Sequence, residues 1–363
     1  MAAVPHAPAR LIAEPGAVTF EPAVSGLPGL SPVDWPAAGL TAPGLLDTPV
    51  DLTSVEADAV VIAWADAEWA AAHHVFCASD QAMSHGDAAS GRFPGWVQDV
   101  GDGTASDYWG WFRLVQVNDT RVLLYKSNVH YAHEGQPRLT ALIRRLTSLP
   151  SPPGLVLSTG TAGGTNREDH VGTVVIVDAA TLYDSSTPAG DWPRYASSWV
   201  PDTGGLAAVA PLLVRIPITS ATLTQLGEQF DAHEHATYTL AQLDPLGLNE
   251  ADPTPAVRNL TGSSSSLLTA GSFLVGTTDD ALAAYGCIEM DDAIVAAECQ
   301  AAHVLYGSVR NLSDPAQPAD LGANGGSWGS AVYSVYGLYT SFNGAVAACA
   351  AISGSGRAEP AAP

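Results

Sequence analysis

Leu155-Val156-Leu157-Ser158-Thr159-Gly160-Thr161-Ala162-Gly163-Gly164 is the stretch on which the fold turns. Its first residues are apolar and read as a buried strand, which then runs straight into small residues. Small residues let a ligand approach the backbone, and free N–H groups in such a run can face an anion or a ring. The same run also suits a tight strand-to-loop turn with no ligand at all. A phosphate-binding P-loop is excluded, because no Gly-Lys-Ser/Thr follows.

Working outward, the run Ala59–Ala63 is a second buried strand, and Asp66–Cys77 reads as the helix after it. Residues 78–110 are rich in Gly, Ser and Asp and read as an insertion or loop. Arg113–Val117 and Arg121–Ser127 predict an antiparallel pair turning near Asn118-Asp119. Leu139, Leu142, Ile143 and Leu146 place an amphipathic helix over Pro137–Leu149. Gly172–Asp178 reads as a strand and residues 184–210 as an irregular stretch. Thr222–Ala232 reads as a helix, and Ser265–Leu268 and Phe273–Val275 as short strands. Met290–His303 predicts a helix, Val304–Leu312 a strand ending at Ser313-Asp314, and Ser330–Ile352 a long final helix. Strands alternating with helices predict an α/β fold with a mostly parallel central sheet. In such sheets the ligand lies beyond the carboxyl ends of the strands, where several polar segments of this chain fall. Residues 1–50, rich in Pro, Ala and Gly, read as an arm or surface layer. Residues 51–353 form the domain, and 354–363 read as a disordered tail.

Composition narrows the function. The chain of 363 residues is 47% hydrophobic, enough for a sizeable core, and only 14% charged, with 37 acids against 14 bases. A net charge of −23 argues against nucleic acid and anionic membranes as partners. An anionic co-substrate would need a local cluster of basic side chains against that field. No apolar run reaches the ~18 residues of a membrane span, and the N-terminus has no continuous apolar segment of a secretory signal. Cys77, Cys287, Cys299 and Cys349 form no C-x-x-C pair and read as free buried thiols, which suits the cytoplasm. The His233-x-His235 pair lacks a third ligand at a telling spacing, so no metal is expected, and no cofactor either. His73-His74, His130, His133 and His303 read as solvated or hydrogen-bonded side chains.

Three acidic segments can carry chemistry. Ile288-Glu289-Met290-Asp291-Asp292 concentrates acids beside an apolar helix in a chain poor in charge. Acids favour a helix N-terminus, and a carboxylate there can also accept two hydrogen bonds from a vicinal diol. Val309-Arg310-Asn311-Leu312-Ser313-Asp314-Pro315 puts a carboxyl at a strand end. It reads either as an Asx turn before proline or as a general acid donating to a ring nitrogen of a leaving base. In Trp64-Ala65-Asp66-Ala67-Glu68-Trp69 the two acids either serve the helix dipole or let Glu68 deprotonate a water molecule.

Together these segments resemble, in type and order, the methylthioadenosine/S-adenosylhomocysteine nucleosidases and related nucleoside phosphorylases. The likeness runs from Ala59 to Ala351 and rests on TGTAGG, IEMDD and VRNLSD. It implies a three-layer α/β fold around a mixed, partly closed sheet, a homo-oligomer, and a small nucleoside-like substrate. It implies Asp314 as the acid that protonates the purine and Ser313 as its orienting neighbour. Phe273 would stack on the base, Gly163 would approach it, and Met290 would pack under the sugar. Asp291 would hold the sugar hydroxyls, and Glu68 would activate water with Thr161 and Arg310 beside it. Two positions depart from the family pattern. Asp291 stands for a Glu and reaches about 1.5 Å less, and Asp292 stands for a small residue.

A phosphorylase needs Arg at the phosphate, and only Arg138 and Arg167 fall near strand ends. The acidic turn at Asp66 and Glu68 favours water, so hydrolysis of an N-glycosidic bond is the expected reaction. Phosphorolysis is the alternative. A non-catalytic metabolite-binding member of the fold is a third reading, which convergence of Glu68, Asp291 and Asp314 on one place would argue against.

Overall fold

Apolar runs with no polar alternation demand cover on both faces, and Ala59–Ala63 (β1) obtains it, with all five residues buried. The computed structural model describes residues 11–12, 27–101, 108–131, 135–165, 170–217, 222, 224, 226, 255–271, 273–274, 282, 284–315 and 328–353. β1 leads into α1, Asp66–Cys77. Gly110–Val117 (β2) and Thr120–Ser127 (β3) form the expected hairpin. Asn118 takes a φ of 49° in its turn, a left-handed conformation that Asn tolerates better than most residues. Gln136–Thr147 (α2) buries Leu139, Leu142, Ile143 and Leu146 as its periodicity requires.

Leu155–Gly164 (β4), Val174–Val177 (β5), Ala179–Leu182 (β6), Leu267–Thr269 (β7) and Cys287–Glu289 (β8) follow. The chain closes with Asp292–Ala301 (α3), Leu305–Pro315 (β9) and Trp328–Ser353 (α4). The main path of the sheet runs Arg194–Ala196, β6, β7, β8, β4, β1, β3, β2, Gly44–Leu45. β9 joins from the side, parallel to β4 and antiparallel to β5. β4 also pairs parallel with β1 and antiparallel with β8, so the sheet is mixed. The fold is α/β as expected. Among the described strands, however, the sheet branches at β4 and β9 instead of curling into partial closure.

Two other expectations change. The glycine run is not a loop: β4 continues through Gly164, paired with β9 along its whole length. β9 likewise runs past Ser313-Asp314 to Pro315. Strands on both flanks supply hydrogen bonds for this backbone, so the run needs no turn. Between Leu312 and Asp314 the register shifts, pairing Leu312 with Ala162 and Asp314 with Gly163 and leaving Ser313 as the extra residue. Such a bulge re-aims the side chains beside it.

The core lies on both faces of the sheet. On one face α1 and α4 pack together, and every described side chain of α4 from Val332 to Ile352 is buried. Val332–Ser353 is long and apolar enough to cross a membrane, with a mean hydropathy of 1.3 over the segment, yet it lies wholly inside the protein. A helix covered on all sides is apolar on all sides, so it is the central helix of the fold. Leu30, Val33 and Trp35 of the Pro-rich N-terminal stretch are also buried in this cluster. The opposite face packs α2 and α3 over Val60, Ile62, Val156 and Leu312. Most of Thr222–Ala232, all of His233-Glu234-His235 and Arg167 lie outside the described residues.

Candidate active site

β1 ends at Ala63 beside β4 and β3, so the turn to α1 opens at the carboxyl edge of three parallel strands. Glu68 is the third residue of α1, and its side chain folds back over that turn. Oε2 accepts from the backbone N–H groups of Trp64 (2.7 Å) and Ala65 (2.9 Å). Oε1 accepts from the backbone N–H (2.6 Å) and the hydroxyl (2.8 Å) of Thr161. The buried carboxylate is thus fixed by four donors between two strand ends. This is the geometry of the helix-cap reading of Glu68, with Thr161 as a further donor.

Gly160 makes that approach possible. A Cβ at this position would lie 2.6 Å from Glu68 Oε2. The glycine is needed for close packing, not for a turn. Gly160→Ala is expected to displace the carboxylate, costing ~1–3 kcal/mol of stability by overpacking and lowering turnover. Denaturant titration and initial rates measure both, and unchanged values would show that Glu68 moves aside without consequence.

Asp314 sits just past the bulge of β9, opposite Gly163. It is buried, and the Ser313 hydroxyl donates to its Oδ1 at 2.5 Å. Burial pushes its carboxyl up to about 6, against the opposing pull of the Ser313 hydrogen bond. Gly163 itself pairs on its other side with Ile288, immediately before the acidic segment.

In that segment Glu289 is at the end of β8, Met290 is half-buried, and Asp291 occupies the N-cap position of α3 without a capping hydrogen bond from its side chain. Asp291 Oδ1 accepts from the Tyr131 backbone N–H at 2.8 Å, and Oδ2 lies 3.3 Å from His130 Nδ1. The His130 ring contacts the Trp64 ring, with centroids 5.7 Å apart, and Trp64 Nε1 donates to Ser158 Oγ at 2.9 Å. A continuous chain of contacts therefore joins Asp291 to the turn that Glu68 braces.

Sequence reasoning placed Arg310 beside the water site but did not anticipate its partners. Its Nε and Nη2 donate to Asp292 at 3.1 and 2.5 Å, and Nη2 also reaches Glu289 Oε2 at 3.1 Å and Ser158 Oγ at 2.9 Å. Nη1 reaches the Thr161 carbonyl at 3.4 Å. Asp292 also accepts from the Ser308 hydroxyl at 2.6 Å. Glu289 accepts from the Thr269 hydroxyl and from the backbone N–H groups of Asp291 and Asp292. Burial, and after it the charge of Asp292, pushes the Glu289 carboxyl up to about 8 despite Arg310 beside it.

The structure thus gathers Glu68, Thr161, Gly163, Met290, Asp291, Arg310, Ser313 and Asp314 at the ends of β4, β8 and β9 and the start of α1. Phe273 is described only in its backbone, which pairs with Ile12. Arg138 stands over the Trp109 ring at 5.8 Å. Trp64, His130, Ser158 and Glu289 had no site role in the sequence reading, and Asp292 stood out there only as a departure from the family pattern. Among the other histidines, His73 Nδ1 accepts from Trp96 Nε1 at 3.2 Å, and His74 Nε2 lies 3.0 Å from the Ser31 carbonyl. Both are hydrogen-bonded, as expected.

No curated protein sequence matches this chain. Among solved structures it is similar to the methylthioadenosine/S-adenosylhomocysteine nucleosidase of Neisseria meningitidis in complex with methylthio-immucillin-A. Identity there is 12%, over 82% of this chain and 99% of that one, with a TM-score of 0.44. It is similar to the corresponding nucleosidase of Campylobacter jejuni at 13% identity, over 82% and 99% of the two chains, with a TM-score of 0.45. Futalosine hydrolase of Helicobacter pylori gives 12% identity over 82% and 97%, with a TM-score of 0.44. The family model of the phosphorylase superfamily matches residues 114–330. Every residue of the constellation except Trp64 and Glu68, in the first strand-to-helix turn, falls within that span. With more than half of its length matched, the chain belongs to the phosphorylase superfamily.

Proposed function

We propose that this protein hydrolyses the N-glycosidic bond of a purine-type nucleoside, with Asp314 as general acid and Glu68 as the acceptor of the water proton. The observation that carries the reading is Asp314: a buried carboxyl at a strand end, held by one hydroxyl and pushed up to about 6. A carboxyl so placed keeps its proton closer to neutrality than an exposed one and can deliver it to a ring nitrogen. As the bond from C1′ to the base nitrogen breaks, its electron pair goes to the base and Asp314 protonates the ring. The sugar gains oxocarbenium character, water attacks C1′, and the water proton passes to Glu68.

Asp291 is assigned to the sugar hydroxyls and Met290 to the sugar's underside. Phe273 and Gly163 are assigned to the base. Tethering of Asp291 to His130 and Tyr131 fixes its shorter side chain in place. The acidic turn of Asp66 and Glu68 supports water over phosphate, since two carboxylates repel a phosphate dianion. A cytoplasmic setting and a homo-oligomeric state fit this reading, the first through four free cysteines.

The test is a panel of purine nucleosides, with and without inorganic phosphate. Release of free base and free sugar at a rate indifferent to phosphate is expected. A sugar 1-phosphate as product would make the protein a phosphorylase, and tight binding without turnover would make it a metabolite-binding member of the fold.

A further inference from the structure

We infer that Asp292, with Glu289 behind it, is a specificity-determining residue that denies phosphate to this site by holding Arg310 in a buried carboxylate clamp. The inference rests on the nucleosidase reading and adds a residue that selects the nucleophile.

Arg310 lies on β9 four residues before Asp314, and its Nη1 meets the carbonyl of Thr161, the residue whose amide and hydroxyl hold Glu68. The guanidinium is therefore one residue removed from the carboxylate that would take the water proton. A planar fork in that position suits bidentate binding of a phosphate oxygen pair. Here the fork is already filled, because Asp292 takes Nε and Nη2 and Glu289 and Ser158 share Nη2. Asp292 is fully buried, so solvent does not screen the pair. Lys126, which faces the same strand-to-helix turn, is also committed, to Asn128 at 2.5 Å and to Asp66 at 3.5 Å. Glu68 adds negative charge beside Arg310. Phosphate entering here would meet Asp292, Glu289 and Glu68 around the guanidinium and would have to displace a carboxylate from Arg310.

Releasing Arg310 should admit phosphate. In phosphorolysis a phosphate oxygen bonds to C1′ as the bond to the base breaks. Asp314 still protonates the base, and the product is a sugar 1-phosphate. Asp292→Asn keeps the volume and can still accept from Ser308 and Arg310, but it removes the charge. Burial pushes the Glu289 carboxyl up to about 8, so it carries its charge only above that pH; Glu289→Gln removes that charge and serves, titrated at pH 9, if Asp292→Asn does not fold.

The experiment titrates inorganic phosphate calorimetrically into wild type, Asp292→Asn and Glu289→Gln, then assays free sugar against sugar 1-phosphate with the best nucleoside of the panel. Wild type should bind phosphate weakly. At least one folded variant should bind it about tenfold tighter or more, with part of the product as sugar 1-phosphate. Adding Arg310→Met to that variant should abolish the gain. A wild type that binds phosphate tightly overturns the inference, as does unchanged phosphate affinity in every folded variant or a gain that survives Arg310→Met. If no nucleoside is cleaved by wild type, the nucleosidase reading fails, while the calorimetric arm still decides whether the clamp excludes phosphate.

Discussion

Asp314→Asn is expected to lower kcat by about 10²–10⁴-fold, the usual worth of a general acid, with substrate binding much less affected. The lost interaction belongs to the transition state, where the departing base carries the bonding electron pair. Because burial holds the Asp314 carboxyl up to about 6, wild-type kcat should be highest where that acid is protonated. It should fall as pH rises above about 6, and Asp314→Asn should lose this alkaline limb along with its rate. A nucleoside with an activated leaving group needs less protonation, so the deficit should shrink with it. Glu68→Gln should keep the same deficit on that substrate, since it acts on water. Near-full turnover by Asp314→Asn on an ordinary purine nucleoside would reduce Ser313-Asp314 to a structural turn.

The same substitution has a stability signature of opposite sign. The folded-state value of Asp314, about 6, lies above its ordinary 3.8. The folded protein therefore binds this proton more tightly than the unfolded chain does. That contribution is fully present below about 3.8 and is lost as pH rises through about 6. The shift corresponds to an upper bound of about 3 kcal/mol for this fully buried group. Asn carries no such loss, so the variant should be more stable than wild type above pH 7 and closer to it near pH 4. Urea midpoints measured across that range check the slope.

Much of this geometry was legible in the order of residues, and the reason is local. β1, β3 and α4 announce themselves through apolar runs and α2 through apolar periodicity, both of which depend only on near neighbours. The strand ends carrying Glu68, Thr161, Asp291 and Asp314 were legible for the same reason, since each polar segment directly follows an apolar run. What stayed hidden depends on distant pairing. Trp64 meets Ser158 across 94 positions, and His130 meets Asp291 across 161. No spacing rule connects such residues. The glycine run reads equally as a turn or a strand until β9 and β8 are seen to pair with it. The need for Gly160 appears only once Glu68 is folded against it. Asp292 stood out as an acid where the resemblance implied a small residue, but its purpose required Arg310 beside it.

Arg310→Met is expected to produce the largest loss of stability among the site substitutions. It leaves Asp292 and Glu289 buried without their cation, and breaking a buried pair in this way costs ~3–5 kcal/mol. Arg310→Met combined with Asp292→Leu and Glu289→Gln should recover most of that, because a buried ion cluster contributes little net stability over apolar or neutral groups of similar size. The deficit of the single variant should also depend on pH. Without Arg310, burial and the charge of Asp292 push the Glu289 carboxyl further up, so Glu289 takes up its proton more readily in the folded state. The deficit should therefore narrow as pH falls and widen as it rises. Denaturant titrations of wild type, single and triple variants at acidic and alkaline pH provide the comparison. A triple variant as unstable as the single one would mean that Arg310 stabilises the strand through its packed stem and its bonds to Ser158 and Thr161. A recovered triple variant that is stable but releases no free sugar would show instead that the cluster is kept for the reaction and not for the fold.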